Sequence, residues 1–462
     1  MNFQTYRVNN IDLNKILNQI PEYKEFMTIS ELDNSSKKLA KEFANVELKE
    51  LGKTGEGRPI YCLKIGQGKE NALLFAFPHP NEPIGSMSLE FLSKYLAENP
   101  EFTEKTGYAW YIIKAIDIDG AVMNEGWFKG KFSPIKYARN YYRPAAYEQV
   151  EWSFPIKYKK LEFETPPPET QALISLMHEL KPKFMYSLHN SAFGGVYFYV
   201  TRGVGNLFSE LIKFVQEEKL PLHLGEPEAP FIKVLHDAVF EMVGIQEQYD
   251  FIEANGIENP QEILRCGTSS DDYLKTITAD KSFVLVCEMP YFYDKAIDDL
   301  SHTEFERRDL RIESINYTKD LYNQSKKIFR SIKKYCIKTT RLFHAIDSLI
   351  KNGGLLLGVY MQDAKTSLMY DGKATVSQAF DLNVASKYYY LLSMSMLARL
   401  CQEAILNRPE KRPELMKIKT DLEKFIETKI NELLKHTKFE VIPINKLVRI
   451  QIGSAFITLK NL

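Results

Sequence analysis

Short apolar runs rich in β-branched and aromatic residues alternate with helix-length amphipathic stretches from residue 46 to about residue 291. This alternation constrains the fold most, because strands separated by helices pair into parallel or mixed sheets with the helices packed on their faces. The predicted strands are residues 46–51, 60–65, 72–77, 109–116, 184–188, 196–200 and 283–287. The predicted helices are residues 30–44, 83–97, 169–180, 204–217 and 238–246. We therefore predict an α/β fold with a mixed sheet flanked by helices.

The pattern changes after residue 291. Helical periodicity recurs over residues 303–351, 383–407 and 413–436. Residues 439–444 and 447–457 are instead typical of extended chain. Because 462 residues exceed the usual size of one hydrophobic core, we expect two domains. We place the α/β domain in residues 1–298 and a mainly helical accessory region in residues 299–462.

Composition argues against several classes of function. The 60 lysines and arginines balance the 60 aspartates and glutamates, so charge gives no reason to expect nucleic acid or an acidic membrane surface as a partner. The first seven residues lack the apolar core of a secretion signal, and no apolar run approaches the ~18 residues needed to cross a bilayer. The five cysteines are scattered, which disfavours a disulfide framework. We expect a soluble cytoplasmic protein whose oligomeric state the sequence leaves open.

His79 and Glu82 stand at a predicted strand-to-helix turn. They follow the apolar run of residues 73–77 and flank the start of a helix opened by Pro83. A histidine at the strand end and a carboxylate at the start of the helix can point at one centre. Zinc binds both imidazole nitrogen and carboxylate oxygen, and a catalytic zinc keeps a further position open for water. The pair therefore predicts the first half of a zinc site.

Two later strand ends carry further candidate residues. His189 follows the predicted strand 184–188, with two glycines nearby that let the backbone turn closely. Glu288 follows the apolar strand 283–287, where a carboxylate is costly unless it is paired, solvated or functional. Open α/β sheets place their ligand sites beyond the carboxyl ends of the strands. His189 is thus a candidate third metal ligand, and Glu288 a candidate catalytic carboxylate.

Together these segments resemble the zinc carboxypeptidase family of the carboxypeptidase A type over roughly residues 46–291. The segments that carry the resemblance are residues 51–60, 79–82, 117–120, 168–170, 184–190, 267–273 and Glu288. The resemblance implies that His79, Glu82 and His189 hold Zn²⁺, and that Glu288 is the general base. The chemistry agrees with these roles, because zinc lowers the pKa of a bound water towards ~7 and a nearby carboxylate can take the remaining proton.

Two arginines flank an asparagine downstream of the fourth predicted strand. Arg139, Asn140 and Arg143 stand where the family places its carboxylate-binding and oxyanion groups, and a guanidinium suits both tasks. The chain departs from the family here, because Ala138 precedes Arg139 and no arginine lies between Arg58 and Arg139. We predict Arg139 as a catalytic residue and all three as substrate-binding residues, with the assignment of each arginine left open.

A second departure concerns a tyrosine that commonly closes over the substrate in this family. The corresponding neighbourhood holds Leu264 and Arg265 instead. This difference bears on substrate choice and leaves the metal chemistry unaffected.

Three classes of function remain open. The first is a metallocarboxypeptidase that removes a C-terminal residue from a peptide. The second is an amidohydrolase that cleaves an N-acyl amino acid, as aspartoacylase and succinylglutamate desuccinylase relatives do with a similar metal motif. The third is a non-catalytic binding module, against which the retention of all three ligands and Glu288 argues. We expect a substrate with a free carboxylate near the cleaved amide, either a peptide or an N-acyl amino acid.

Overall fold

The computed structural model describes residues 7–8 and 11–462 of the chain. The expectation that the chain begins without a secretion signal concerns residues that, apart from Arg7, lie outside this described part. Among the described residues, no helix combines the length and the apolar character needed to span a membrane. All five cysteines fall within the described part, where each is buried and free.

The strands are short, and half of those described belong to one large sheet. In chain order they are β1 (Arg7–Val8), β2 (Ile11–Asp12), β3 (Val46–Lys53), β4 (Pro59–Ile65), β5 (Glu70–Ala76), β6 (Tyr108–Ile113), β7 (Ile156–Tyr158), β8 (Leu161–Phe163), β9 (Phe184–Leu188), β10 (Ser191–Phe193), β11 (Tyr197–Val200), β12 (Val234–His236), β13 (Val239–Glu241), β14 (Phe283–Glu288), β15 (Pro290–Tyr293), β16 (His302–Glu306), β17 (Lys373–Thr375) and β18 (Glu440–Val441).

The longest helices lie in the C-terminal third of the chain. In chain order the α-helices are α1 (Leu13–Leu17), α2 (Ile29–Glu42), α3 (Ile84–Glu98), α4 (Pro100–Thr106), α5 (Ile118–Asn124), α6 (Pro134–Asn140), α7 (Pro168–Leu180), α8 (Leu207–Glu217), α9 (Ile245–Ala254), α10 (Gln261–Leu264), α11 (Ser270–Thr278), α12 (Arg307–Ile332), α13 (Arg341–Thr366), α14 (Val376–Phe380), α15 (Ser386–Asn407), α16 (Arg412–Leu434) and α17 (Ile444–Asn461). A π-helical turn, Asp381–Ala385, joins α14 to α15.

Nine strands form one mixed sheet in the order β12–β13–β11–β14–β9–β5–β6–β4–β3. Its centre is parallel, because β14 and β5 flank β9 and β6 pairs with β5 in the same direction. The strands β5, β9 and β14 are apolar and buried over most of their length, which is the pattern of strands covered by helices on both faces. The predicted fold class, a mixed sheet flanked by helices, is confirmed.

The predicted elements of the α/β region agree with the structure except at one helix. Each of the seven predicted strands and four of the five predicted helices lies within three residues of an observed element. The helix predicted over residues 238–246 is wrong, because strand β13 occupies part of it and pairs with β11. Helix α9 begins only after Gly244. The few residues of β13 carry too little periodicity for the sequence alone to separate a strand from a helix.

Residues 447–457, expected to be extended, are helical and belong to α17. This helix is buried along most of its length and packs against α3, α8 and β14. A helix that is apolar on nearly all sides shows no helical periodicity, and its β-branched residues resemble those of a strand. One of its buried polar residues, Gln451, donates to the backbone carbonyl of His189 at 2.8 Å and accepts from Ser88 of α3 at 2.7 Å. The C-terminal part of the chain therefore helps to support a predicted metal ligand.

The region beyond residue 298 is mainly helical, as predicted. A continuous cluster of buried apolar side chains nevertheless extends from Leu13 to Leu459 and includes both regions. Arg341 of α13 also reaches into the α/β region, where it lies 3.1 Å from Asp117 and 3.3 Å from Asp119. The domain boundary at residue 298 stays a prediction, and the two regions share a core across it.

Gly453 tests how tightly α17 is packed. A Cβ atom at this position would lie 2.1 Å from the ring of Phe214, so Gly453→Ala is expected to lower the free energy of unfolding by about 1–3 kcal/mol. Gly358 on α13 is the matched control, because a Cβ there meets no atom within 4 Å. Gly358→Ala is expected to raise stability by about 0.5–1 kcal/mol. Urea unfolding measures both effects, and a stabilised Gly453→Ala variant would contradict the packing described here.

Candidate metal centre and active site

The strands β5, β9 and β14 end side by side at one edge of the sheet. Leu188, the last residue of β9, pairs with the last residue of β5 and with the second-last residue of β14. His189 follows β9 directly, Glu288 is the last residue of β14, and His79 comes three residues after β5. Parallel pairing therefore brings these three side chains to one place, as expected for the carboxyl edge of an α/β sheet.

The turn between β5 and α3 fixes the positions of His79 and Glu82. Phe77 adopts a left-handed backbone conformation, with φ of 55°, directly after β5. The amide of Glu82 then donates to the carbonyl of His79 at 3.1 Å. Asn190 ties this turn to the end of β9, because its amide donates to Glu82 Oε2 at 3.2 Å and its side-chain oxygen accepts from the amide of Ile84 at 3.1 Å. The strained turn is thus held at both ends by hydrogen bonds.

The three predicted metal ligands converge. His79, Glu82 and His189 are buried, and each offers one ligand atom within 4.8 Å of the other two. His189 Nδ1 lies 3.1 Å from Glu82 Oε2. The Nδ1 atoms of both histidines are buried, and neither forms a hydrogen bond with a described residue, since the approach of His189 to Glu82 is a close ion pair without hydrogen-bond geometry. Buried imidazole nitrogens are normally partnered, so these two atoms fit the role of metal ligands.

The other nitrogen of His189 is held by a group that the sequence did not reveal. Ser187 Oγ lies 2.9 Å from His189 Nε2 and 3.1 Å from Glu151 Oε2. Glu151 Oε1 in turn accepts from the amide and hydroxyl of Ser270 at 3.0 and 2.7 Å. Metal-binding histidines commonly use such a bond to fix ring orientation. Ser187 could have been inferred from its position in β9, two residues before His189, whereas Glu151 carries no local signal.

Three carboxylates surround the His189 ring. Nδ1 lies 3.1 Å from Glu82 and 3.6 Å from Glu288, and Nε2 lies 3.8 Å from Glu151. Burial opposes a charged ring, but these carboxylates outweigh it and raise the pKa of His189 to about 10. Burial, followed by the repulsion of Glu82, raises the pKa of Glu288 well above its ordinary value. Arg143 is a further cation beside Glu82. The clustered carboxylates therefore favour a positive charge at this place, either a proton on the His189 ring or a bound divalent cation.

The donor set fits Zn²⁺. Two imidazole nitrogens and one carboxylate oxygen form a ligand set used by catalytic zinc, and they leave a coordination position for water. His79 and His189 would bind through Nδ1, and Glu82 through a carboxylate oxygen. The candidate ligands predicted from the sequence are thus the residues that the fold brings together.

Glu288 lies beside the ligand cluster and keeps its carboxylate available. Its Oε1 is 3.6 Å from His189 Nδ1, while its backbone is held in the ladder opposite Tyr197 of β11. The residue is 8% exposed. This position suits a group that exchanges protons with a water or substrate at the metal centre.

Arg143 is the predicted arginine that reaches the ligand cluster. Its Nη1 lies 3.4 Å from Glu82 Oε1, and its Nε donates to Gln149 Oε1 at 3.3 Å. About a quarter of the side chain, 28%, remains exposed. Arg143 can therefore contact the carboxylate of Glu82 and, through its exposed part, a bound small molecule.

Arg139 and Asn140 are directed elsewhere. Arg139 Nη2 lies 2.6 Å from Glu427 Oε2 of α16, with 56% of the arginine side chain exposed. The side-chain amide of Asn140 donates to the carbonyl of Lys136 at 2.9 Å within α6. The chain leaves the helical conformation directly after Asn140. The side chains of Arg139 and Arg143 therefore point in different directions. No hydrogen bond within the described part of the chain joins either side chain to the ligand cluster, and the predicted catalytic and substrate-binding roles of Arg139 and Asn140 stay predictions.

Helix α15 covers the neighbourhood of the site. Met396 Sδ accepts from the amide of Arg143 at 3.3 Å, and Tyr389 Oη accepts from the amide of Ala192 at 2.9 Å. Both contacts join residues about 200 positions or more apart, so no local sequence pattern could predict them. The family's usual tyrosine has no counterpart around Leu264. Tyr389 is instead a tyrosine that lies close to the site.

Comparison with known proteins gives one family and several distant structures. Residues 32–203 match the family described as zinc carboxypeptidase. A carboxypeptidase A from Helicoverpa armigera is similar at 16% identity and a TM-score of 0.39, covering 62% of this chain and 72% of that chain. A metallo-carboxypeptidase from Burkholderia cenocepacia is similar at 14% identity and a TM-score of 0.34, covering 57% of this chain and 60% of that chain. The search of curated proteins gave no significant match.

Removal of either histidine is expected to abolish stoichiometric zinc binding. His79→Ala and His189→Ala each delete one of three ligands, whereas Ser187→Ala is expected to weaken zinc affinity by about 10–100-fold through loss of ring orientation. His178→Ala is the matched control and is expected to keep full zinc binding. His178 lies on α7, with its Nε2 3.0 Å from the Tyr273 hydroxyl. Metal analysis with a competing chelator measures each variant. One zinc per chain in either ligand variant would refute the assignment.

Proposed function

We propose that the protein is a zinc-dependent metallocarboxypeptidase that cleaves an amide bond near a free carboxylate. The match of residues 32–203 to the zinc carboxypeptidase family supports this proposal. The observation that carries this proposal is the convergence of His79, Glu82 and His189 beside the available carboxylate of Glu288. Three ligands alone would serve a structural metal equally well. The adjacent carboxylate adds a group for proton transfer, which hydrolysis requires.

Glu288 has the position and environment of a general base that later acts as an acid. A bound Zn²⁺ would supply Lewis-acid polarisation and a water of lowered pKa. The Glu288 carboxylate takes a proton from the attacking water and returns it to the amine nitrogen that leaves. Burial raises the pKa of Glu288, which favours holding the proton between these two steps.

Arg143 is suited to recognise the free carboxylate. Its guanidinium contacts Glu82 at 3.4 Å and is partly exposed, so further N–H groups can point towards a ligand. A guanidinium binds a carboxylate through two parallel hydrogen bonds, and this geometry also fixes the orientation of the substrate. The substrate carboxylate would thereby be held close to the metal centre.

The covered site favours small substrates. His79, Glu82, His189 and Glu288 are 4%, 3%, 4% and 8% exposed, and α15 packs against the adjacent loop. A short peptide fits this arrangement better than the end of a folded protein. The same observation supports a second candidate, an amidohydrolase of the aspartoacylase and succinylglutamate desuccinylase kind, because an N-acyl amino acid is small and carries a free carboxylate.

Glu288→Gln tests the proposed base while preserving side-chain shape. Turnover of short peptides and N-acyl amino acids is expected to fall by at least ~10²-fold, because the amide cannot take up the proton from water. Zinc content is expected to stay at one ion per chain, since Glu288 is not among the ligands. Steady-state kinetics and metal analysis of the same sample measure both quantities. Near-normal turnover with full zinc occupancy would contradict the mechanism.

Arg143→Ala and Arg139→Ala form a matched pair for carboxylate recognition. Loss of the charge-assisted contact in Arg143→Ala is expected to lower kcat/KM for a free-acid substrate by roughly 10–100-fold. Arg139→Ala is expected to leave kcat/KM close to the wild-type value, because Arg139 pairs with Glu427. The C-terminal amide of the same substrate provides the comparison. A wild-type enzyme that cleaves acid and amide equally well would refute carboxylate recognition.

A further inference from the structure

Two tyrosines project from β11 on the same face of the sheet as Glu288. Tyr197 lies directly opposite Glu288 in the antiparallel ladder between β11 and β14, and opposite residues project to one face with Cβ atoms about 4.5–5.5 Å apart. Tyr199 lies two residues further on and shares that face. Both tyrosines are buried. Their hydroxyl groups therefore extend away from the sheet beside the proposed catalytic carboxylate.

Both hydroxyl groups donate hydrogen bonds to the same carboxylate, which belongs to a different segment of the chain. Tyr199 donates to Glu228 Oε2 at 3.1 Å, and Tyr197 donates to Glu228 Oε1. Glu228 stands in the loop between α8 and β12, and the residue as a whole is exposed. Burial, with Glu228 and Glu288 adding to it, holds the pKa of Tyr199 well above its ordinary value. The phenols thus stay protonated and act as donors that orient the Glu228 carboxylate.

The charge of Glu228 is not neutralised within the described part of the chain, where it forms no ion pair. Glu226, two residues earlier, shows the contrast. Its carboxylate oxygens lie 2.6 and 2.7 Å from Arg307 Nε and Nη2, so the arginine takes up both oxygens. The loop therefore carries one carboxylate that anchors it to α12 and another that is oriented, solvent-accessible and unpaired.

We propose that Glu228 binds a cationic group of the substrate, an ammonium or a guanidinium, next to the amide that is cleaved. This inference rests on the proposed function and deepens it by naming a substrate class. Arg143 would hold the carboxylate and Glu228 a positive charge, so the preferred substrate is a short zwitterionic peptide. The α-amino group and a basic side chain are two sources of the same chemistry.

Two pairs of short peptides separate these sources. One pair compares a free α-amino group with its N-acetylated form, and the other compares lysine with norleucine in N-acetylated peptides. The wild-type protein is expected to prefer the cationic member of one pair by about tenfold or more in kcat/KM, the scale of one charge-assisted contact. Glu228→Gln is expected to remove that preference and to leave the neutral member nearly unchanged.

The matched control is Glu410→Gln, which also removes one exposed carboxylate. Glu410 follows the C-terminal end of α15, whereas Tyr389 lies near the start of that helix. From Tyr389 to Asn407, the last residue of α15, the helix advances 18 residues (407 − 389), or roughly 27 Å. The preference for the cationic peptide is expected to be unchanged in Glu410→Gln.

Binding measured by calorimetry in the zinc-loaded Glu288→Gln variant, with and without Glu228→Gln, makes the test independent of turnover. A cationic preference in binding that depends on Glu228 supports the proposal even if no peptide is hydrolysed, in which case only the proposed function fails. Equal losses for cationic and neutral peptides in Glu228→Gln would show a purely structural role and overturn the proposal. Absence of any cationic preference in the wild-type protein, or of any peptide binding, would overturn it as well.

Discussion

Repulsion among the buried carboxylates of Glu82, Glu151 and Glu288 is the interaction on which this site depends. Each lies within 3.8 Å of one imidazole ring, in surroundings where like charges repel far more strongly than in water. The guanidinium of Arg143 offsets part of this charge. A cation at the ligand cluster would therefore stabilise the turn after β5 and the ends of β9 and β14 together, which couples metal binding to local folding.

The C-terminal helices complete the surroundings of this cluster. Arg399 of α15 donates to the carbonyl groups of Asn140 and Tyr141 at 2.7 and 3.0 Å, directly before Arg143. Met396 of the same helix accepts from the Arg143 amide. The loop that presents the guanidinium is thus held by a segment about 250 residues further along the chain. The position of Arg143 consequently depends on the packing of the helical region.

The features that could be predicted from the sequence are those encoded locally. His79 and Glu82 share one turn, while His189 and Glu288 directly follow apolar strands, so their meeting depends only on parallel pairing. The contact of Arg139 with Glu427 could not be predicted, because the direction of that side chain depends on where α6 ends, which carries no strong signal in the sequence.

The remaining features arise from contacts that are distant in sequence. Glu151 and Tyr389 lie near the ligand cluster through tertiary packing, and Glu228 meets the tyrosines of β11 in the same way, so local patterns could not identify these contacts. Helix α17 was predicted as extended because burial on nearly every side removes the periodicity that distinguishes a helix. Burial and contacts between distant residues are thus the main reasons why the sequence did not predict these features.

The hydrogen bond from Gln451 to the carbonyl of His189 gives the site an order of assembly. Gln451 is translated 262 residues after His189 (451 − 189), which takes on the order of 13–52 s at ribosomal rates of about 5–20 residues per second. All three metal ligands and Glu288 have been synthesised by then, while the end of β9 still lacks this donor. The backbone of the candidate ligand His189 therefore gains this hydrogen bond only after α17 has been synthesised.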